Sequence, residues 1–461
     1  MNRFSQKAMR IWVEMGPRFL PFADAATPEL PLSRLLRLSL IQVSVGMSLV
    51  LLVGTLNRVM IVELGVPASL VAIMLSLPVL FAPFRALIGH RSDTHQSILG
   101  WKRVPFIFYG TMVQFGGLSI MPFALLVLSG SGHAAAVPAW VGQAAAALAF
   151  LLLGAGIHTT QTVGLALATD LASRDAQPKV VGLMYVMLLL GSIASALVFG
   201  TLLADFTAGR LIQVIQGSAV MTIVLNAIAA WKQEGRSRSH QPVEEQPTFA
   251  ETWQAYIGDG PALRHLIALG LGTVAFSMQD VLLEPYGGAV LGLSVAATTK
   301  LTAAMAIGGL FGFGLASKVL SRGFDPFRMA CYGAALGIPA FALVVASAPM
   351  GSAGIFAMGV ALIGFGGGLF GHGTLTATMN LAPRDKTGLA LGAWGAVQAT
   401  LAGVAIGLGG IIRDLAARGS ANDAFGYQLV YSIEIALLCA TVAAMLPLLR
   451  RHAVAADPSR L

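Results

Sequence analysis

The chain has 461 residues, 56% of them hydrophobic and 11% charged, with a formal net charge of +8. A soluble globular domain carries about 25% charged residues, so this composition argues against one and points to lipid as the surrounding solvent. The two cysteines, Cys331 and Cys439, both stand in apolar runs, which gives no support to a disulfide framework or a CxxC metal site.

Residues 1–37 open with basic residues, but Pro17 and Pro21 interrupt any secretory hydrophobic core. Phe4, Ala8, Ile11, Trp12 and Met15 share one helical face, with Arg3, Lys7 and Arg10 largely away from it. This predicts a helix lying on the membrane surface or docking a partner. A solvated leader is the competing reading.

A crossing of the hydrocarbon core needs about 20 apolar residues. On that ruler spans fall near 38–62, 68–89, 104–129, 139–169, 180–204 and 212–231. A long polar break, Lys232 to Pro261, is followed by spans near 265–285, 294–317, 329–348, 352–380, 387–412 and 427–449. The predicted fold is an all-α integral membrane protein with twelve transmembrane helices. Its expected parts are a cytoplasmic N-terminal segment (1–37), a six-helix half (38–231) and a cytoplasmic central loop (232–264), followed by a second six-helix half (265–449) and a cytoplasmic tail (450–461).

Orientation follows from the basic residues. With the N-terminus inside, the inner segments hold 23 of the 29 Lys and Arg. Both termini are then cytoplasmic, and the positive charge needs no nucleic acid as its explanation.

The halves resemble each other. TLNRVMIVELG (Thr55 to Gly65) in the first span aligns with SMQDVLLEPYG (Ser277 to Gly287) in the seventh. DLASRD (Asp170 to Asp175) aligns with NLAPRD (Asn380 to Asp385) at the inner ends of spans four and ten. Six plus six spans with parallel half-to-half similarity are the pattern of the major facilitator fold. GHRSDTHQSILGWKR (Gly89 to Arg103) resembles a stretched version of that superfamily's cytoplasmic loop between spans two and three.

In such a fold the first and seventh spans face each other across the centre. Charges inside spans usually face the bundle interior and find partners. Arg58 is therefore expected to pair with Asp280 or Glu284, which lie four apart on one helix face. Residence of each charge in the outer headgroup region is the alternative. Pro285 is expected to end regular helix just beyond them.

Several longer strings are more specific. GTLNRVMIVELGVP (Gly54 to Pro67), FAPFRALIGHRSDTH (Phe81 to His95), HTTQTVGLALATDLA (His158 to Ala172) and QDVLLEPYGG (Gln279 to Gly288) closely resemble the PucC/LhaA family. This is the bacteriochlorophyll-delivery branch of the major facilitator superfamily. The resemblance runs from about residue 10 to about residue 450. It implies an assembly factor that binds bacteriochlorophyll or delivers it to light-harvesting antenna polypeptides. It also implies the intracytoplasmic photosynthetic membrane as location, with membrane lipids and the reaction-centre core complex as further neighbours.

A bacteriochlorophyll magnesium commonly takes one neutral imidazole. His158 in span four and His372 in span ten are the histidines placed well within spans, and they are the candidate pigment ligands. No metal site built from protein ligands alone is expected. His372 lies in GFGGGLFGHG (Gly364 to Gly373), which offers either a flat surface for a macrocycle or, through Gly364/Gly368 and Gly367/Gly371, close helix packing. Arg85 and Asp93 are the candidate cytoplasmic gate. The spacing from Asp93 to Lys102 and Arg103 is longer than the superfamily pattern, which favours a static scaffold over rocking.

No catalytic motif occurs in a credible context, so the chain is not expected to be an enzyme. Two alternatives stay open: a proton-coupled carrier of a small solute, titrating at Asp280 and Glu284, and a pigment-free organiser of antenna subunits.

Overall fold

The structure is a computed structural model that describes residues 26–27, 30–78, 88, 91–92, 97, 100–130, 132–173, 176–234, 260–381, 387–418, 422 and 424–456. The N-terminal amphipathic stretch, most of the central loop, and the candidate gate residues Arg85 and Asp93 lie outside the described residues.

Among the described residues, twelve main helices follow one another. They are α1 (Leu32–Glu63), α2 (Ala68–Ser76), α3 (Val104–Leu128), α4 (Ala139–Leu171), α5 (Gln177–Leu202) and α6 (Ala208–Ala230). The second set is α7 (Ala262–Ala289), α8 (Val295–Leu320), α9 (Pro326–Ser347), α10 (Ala353–Leu381), α11 (Thr387–Ala417) and α12 (Phe425–Ala456). Eleven of these are long and apolar enough to cross a membrane among the described residues, and α2 occupies the start of the expected second span. No strand occurs among the described residues.

The helix starts are written locally. Thr207 Oγ1 accepts from the Arg210 N–H (3.1 Å) to cap α6, and Ser294 Oγ accepts from the Ala297 N–H (3.2 Å) to cap α8. Asp325 Oδ1 accepts from the Phe327 N–H (2.8 Å), with Pro326 as first helical residue of α9. These are the side chains expected at such positions. The first helix begins earlier than its apolar run, because Leu35 and Leu38 are buried against α4 and α6 and draw the preceding turn into the bundle. Arg34 and Arg37 therefore ride on α1 instead of preceding it.

Each half packs as a unit, with α3 against α4 in the first and α9 against α10 in the second. Across the halves α2 packs on α11, α5 on α8 and the end of α1 on α7. The first two pairs exchange under the half-to-half repeat, as the major facilitator fold requires. The glycine-rich stretch of α10 resolves into two faces. A Cβ at Gly364 would lie 2.0 Å from the Met305 carbonyl oxygen, and one at Gly368 would lie 2.5 Å from that of Gly309, so this pair seats α10 on α8. Gly371, by contrast, faces open space.

Candidate functional site

The polar residues of α1 and α7 meet at the end of the bundle where α1 finishes. Both helices are irregular there. In α7, Pro285 has no N–H to give the Val281 carbonyl one turn back, and its ring crowds that carbonyl. The helix tightens into a 3₁₀ turn over Met278–Val281 and resumes at Leu283–Ala289. The break therefore lies one turn before Pro285, and not at Pro285 just beyond Asp280 and Glu284 as the sequence reading expects.

A broken helix exposes backbone groups that must be satisfied inside a membrane protein. Asn57 Nδ2 of α1 donates to the carbonyls of Asp280 and Val281 (3.3 Å each). The Gln279 N–H donates to Glu434 Oε1 of α12 (2.7 Å). Tyr286, fully buried, packs edge-on against Tyr427 and Tyr431 and donates to the Val344 carbonyl (3.2 Å), holding the resumed segment.

In α1 the turns over Val50–Leu56 and Val59–Glu63 widen to π geometry. A π turn brings residues five apart together. This decides the partner of Arg58. Arg58 Nη1 forms its salt bridge with Glu63, five residues on, and Nη2 donates to the Leu293 carbonyl of the opposite half (3.0 Å). The expected direct pairing of Arg58 with Asp280 or Glu284 is not the geometry observed. Arg58 does join the halves, through a backbone carbonyl. A Cβ at Gly288 would come 2.9 Å from Arg58 Nη2, so glycine there makes room for the guanidinium.

Asp280 and Glu284 have other contacts. Asp280 is half-buried, and its Oδ1 accepts from the Gln279 amide (2.5 Å). Glu284 is buried and accepts from the Thr302 hydroxyl of α8, in space left by Gly54 of α1. Asn57 Oδ1, Gln279 Oε1, Glu284 Oε2 and Glu434 Oε2 are buried acceptors without a hydrogen-bond donor. Buried oxygens of this kind call for a proton, a water or a ligand donor. The chemistry available is therefore proton holding and hydrogen bonding. Among the described residues no three of His, Cys, Asp and Glu are grouped to hold a metal.

The two candidate pigment histidines sit in different surroundings. His372 extends the Gly364/Gly368 stripe by one turn, and its ring lies 4.3 Å from that of Phe313 of α8. Its Nδ1 is buried without a hydrogen-bond partner. Beside it Gly371 meets nothing within 4 Å, and a Cβ at Gly367 would make only an ordinary contact with Phe276, 3.9 Å away, so α10 carries little side-chain bulk along this strip. His158 is half-buried on α4, one turn after Gly154, whose missing Cβ admits Pro78 directly after α2. No comparable strip flanks it.

Two residues escaped the sequence reading. Glu434 is a lone carboxylate in the apolar run YSIEIALL, which was itself a signal. His265 stands at the first position of the expected seventh span and is not among the histidines placed well within spans. It is buried and hydrogen-bonds through Nε2 to Thr378 Oγ1 of α10 (2.8 Å), with its ring edge-on to Phe327.

Comparison with known proteins adds an independent observation. A family model described as PUCC protein matches residues 55–453. Protein PucC of Rhodovulum sulfidophilum is 62% identical over 418 residues, covering 90% of this chain and 92% of that one. The bacteriochlorophyll synthase 44.5 kDa chain of Rhodobacter capsulatus is 29% identical over 428 residues, covering 90% and 94%. A solved bacterial homologue of the human lysosomal transporter Spinster, inward-facing and occupied, matches with a TM-score of 0.66 at 12% identity. It covers 90% of this chain and 96% of that one, and speaks for the fold alone.

Proposed function

Since the chain belongs to the PUCC protein family, we propose that it is an assembly factor that holds bacteriochlorophyll, or hands it to light-harvesting antenna polypeptides, in the photosynthetic membrane. The observation that carries this reading is the match over nearly the whole chain, intramembrane polar strings included, to a family whose motifs imply that role. The name of the more distant Rhodobacter capsulatus relative concerns the same pigment. In this reading the protein carries pigment without transforming it. Both termini face the cytoplasm, and the antenna polypeptides and reaction-centre core are its neighbours.

The residues present fit a chlorin. An axial imidazole needs an unbonded ring nitrogen and a flat neighbouring surface, and His372 beside the Gly367/Gly371 strip has both. When bound, the pigment supplies the near-infrared absorption and the magnesium that an imidazole ligates. The chain's own part is to present His372 with its ring braced on Phe313, and to exclude water with the surrounding apolar helices. His158 is the second candidate, without the open strip.

The test is an absorption spectrum of protein purified gently from a pigment-producing host, alongside His158→Ala and His372→Ala. Near-infrared absorption lost in His372→Ala and retained in His158→Ala is expected. A colourless wild type that still co-purifies antenna polypeptides would move the reading to a pigment-free organiser. The unpaired oxygens of Glu284 and Glu434 favour a second reading, a proton-coupled carrier. That reading requires activity that collapses when the proton gradient is discharged.

A further inference from the structure

A groove of about 690 Å³ runs between α3 and α6 at the end of the bundle where α1 begins. Its walls are apolar. Val104, Phe108 and Met112 form one stripe of α3, and Ile223, Ala227 and Ala230 form the facing stripe of α6. The polar groups on its floor are already satisfied. Asn226 donates through Nδ2 to Thr111 Oγ1 (2.9 Å) and accepts through Oδ1 from the Ser44 hydroxyl (2.7 Å). Nothing on the floor asks for a polar ligand, so an alkyl chain fits it.

At its mouth the groove meets a cleft lined by Ser33, Arg34, Arg37 and Lys232, with Arg34 and Lys232 lining both. The chain is bent to build this mouth. Lys232 takes a left-handed backbone conformation, φ 51°, directly after α6, a position that glycine would fill more easily. The turn sends Gln233 back to Arg34, whose Nε donates to Gln233 Oε1 (3.0 Å) and whose Nη2 donates to the Gln233 carbonyl (2.6 Å). It sends Glu234 to the start of α3, where its carboxylate accepts from the N–H groups of Lys102, Arg103 and Val104 (2.6 to 3.0 Å). Among the described residues the carboxylate of the mouth is thus spent on the positive end of a helix. The described cations there are Arg34, Arg37 and Lys232, and Arg37 Nε has no hydrogen-bond partner among the described residues. Trp231, mostly exposed beside the mouth, suits the level of lipid headgroups.

We infer that this cleft and groove form a binding site for an anionic phospholipid, with its phosphate at Arg34, Arg37 and Lys232 and an acyl chain between α3 and α6. A free anion would use only the cleft, and a neutral lipid only the groove. An amphiphile with a negatively charged head uses both, and basic pockets between transmembrane helices suit such heads.

The test is native mass spectrometry of the full chain in detergent, with phosphatidylglycerol and phosphatidylcholine of identical chains. Retention of phosphatidylglycerol well above phosphatidylcholine is expected in the wild type. Each basic residue near an anionic headgroup changes affinity roughly fivefold. The variant Arg37→Gln/Lys232→Gln is then expected to lose about 25-fold, and Arg34 is left intact because it holds the turn. Ala227→Phe narrows the groove and keeps every cation, so it is expected to weaken phosphatidylglycerol retention as well. Equal retention of the two lipids in the wild type would mark ordinary annular lipid and overturn the assignment, whatever the variants do. Full displacement of the lipid by an equal concentration of inorganic phosphate would overturn it too, since the chain would then contribute nothing.

Discussion

Arg58 and Glu63 are unequal partners, and removing one differs from removing the other. The Arg58 side chain is 4% exposed, whereas that of Glu63 is 37% exposed and can hydrate when left alone. Breaking a fully buried pair costs about 3–5 kcal/mol. With one partner at the surface, roughly 2 kcal/mol is the fairer figure for stranding the arginine. Glu63→Gln is therefore expected to melt below Arg58→Met in detergent thermal denaturation. Equal melting temperatures would sink this reading of the pair. The sequence made the importance of Arg58 legible, because a charge inside a span asks for a partner. It did not make the partner legible, because i, i+4 spacing describes an α-helix and α1 is π-wound here. Glu434 was hidden differently. A lone carboxylate carries no motif, and its role comes from a backbone N–H that only the break in α7 sets free.

Helices are the scale at which the sequence was most legible, since a run of about 20 apolar residues in a lipid solvent has few alternatives to a helix. Irregularities within them were less so. Pro285 announces a break, but its damage falls on the carbonyl four residues earlier, which moves the irregular turn to Met278–Val281. The glycines of α10 show the same limit, since GFGGGLFGHG fits both a packing seam and a flat strip. The structure uses alternate faces for each. Two substitutions in one stretch separate them. Gly364→Ala puts a methyl group 2.0 Å from the Met305 carbonyl oxygen and must push α8 and α10 apart. Overpacking of this kind costs about 1–3 kcal/mol, and a lower melting temperature is expected. Gly371→Ala meets nothing within 4 Å and is expected to be neutral, or stabilising by up to about 1 kcal/mol through helix propensity. A destabilised Gly371→Ala together with an unaffected Gly364→Ala would mean the two faces have been assigned the wrong way round.

For the whole molecule, the two-half plan was legible in the resemblance of Thr55–Gly65 to Ser277–Gly287, and these segments do lie against each other. What it could not show is where the halves are fastened. Thr55 Oγ1 and Thr299 Oγ1 lie 3.3 Å apart, Asp414 Oδ2 accepts from the Ser69 N–H (2.7 Å), and Ser76 Oγ donates to the Gly403 carbonyl (3.0 Å). With the Arg58 contact to Leu293, these join the halves from the end where α1 finishes along α2 to its last residue, Ser76, and into the middle of α11. A rocking carrier must open this seam in every cycle, and an assembly scaffold need not. A Cβ at Gly407 would sit 4.0 Å from that of Ser76, within disulfide range. The pair Ser76→Cys/Gly407→Cys, in a Cys331→Ser/Cys439→Ser background, can therefore lock the seam when cells are oxidised during antenna synthesis. Antenna absorption is expected to accumulate equally in oxidised cells of the locked strain and of its single-cysteine control. Accumulation that stops only in the locked strain would show that the seam must open. The carrier-like cycle, with Glu284 and Glu434 exposed in turn, would then replace the scaffold.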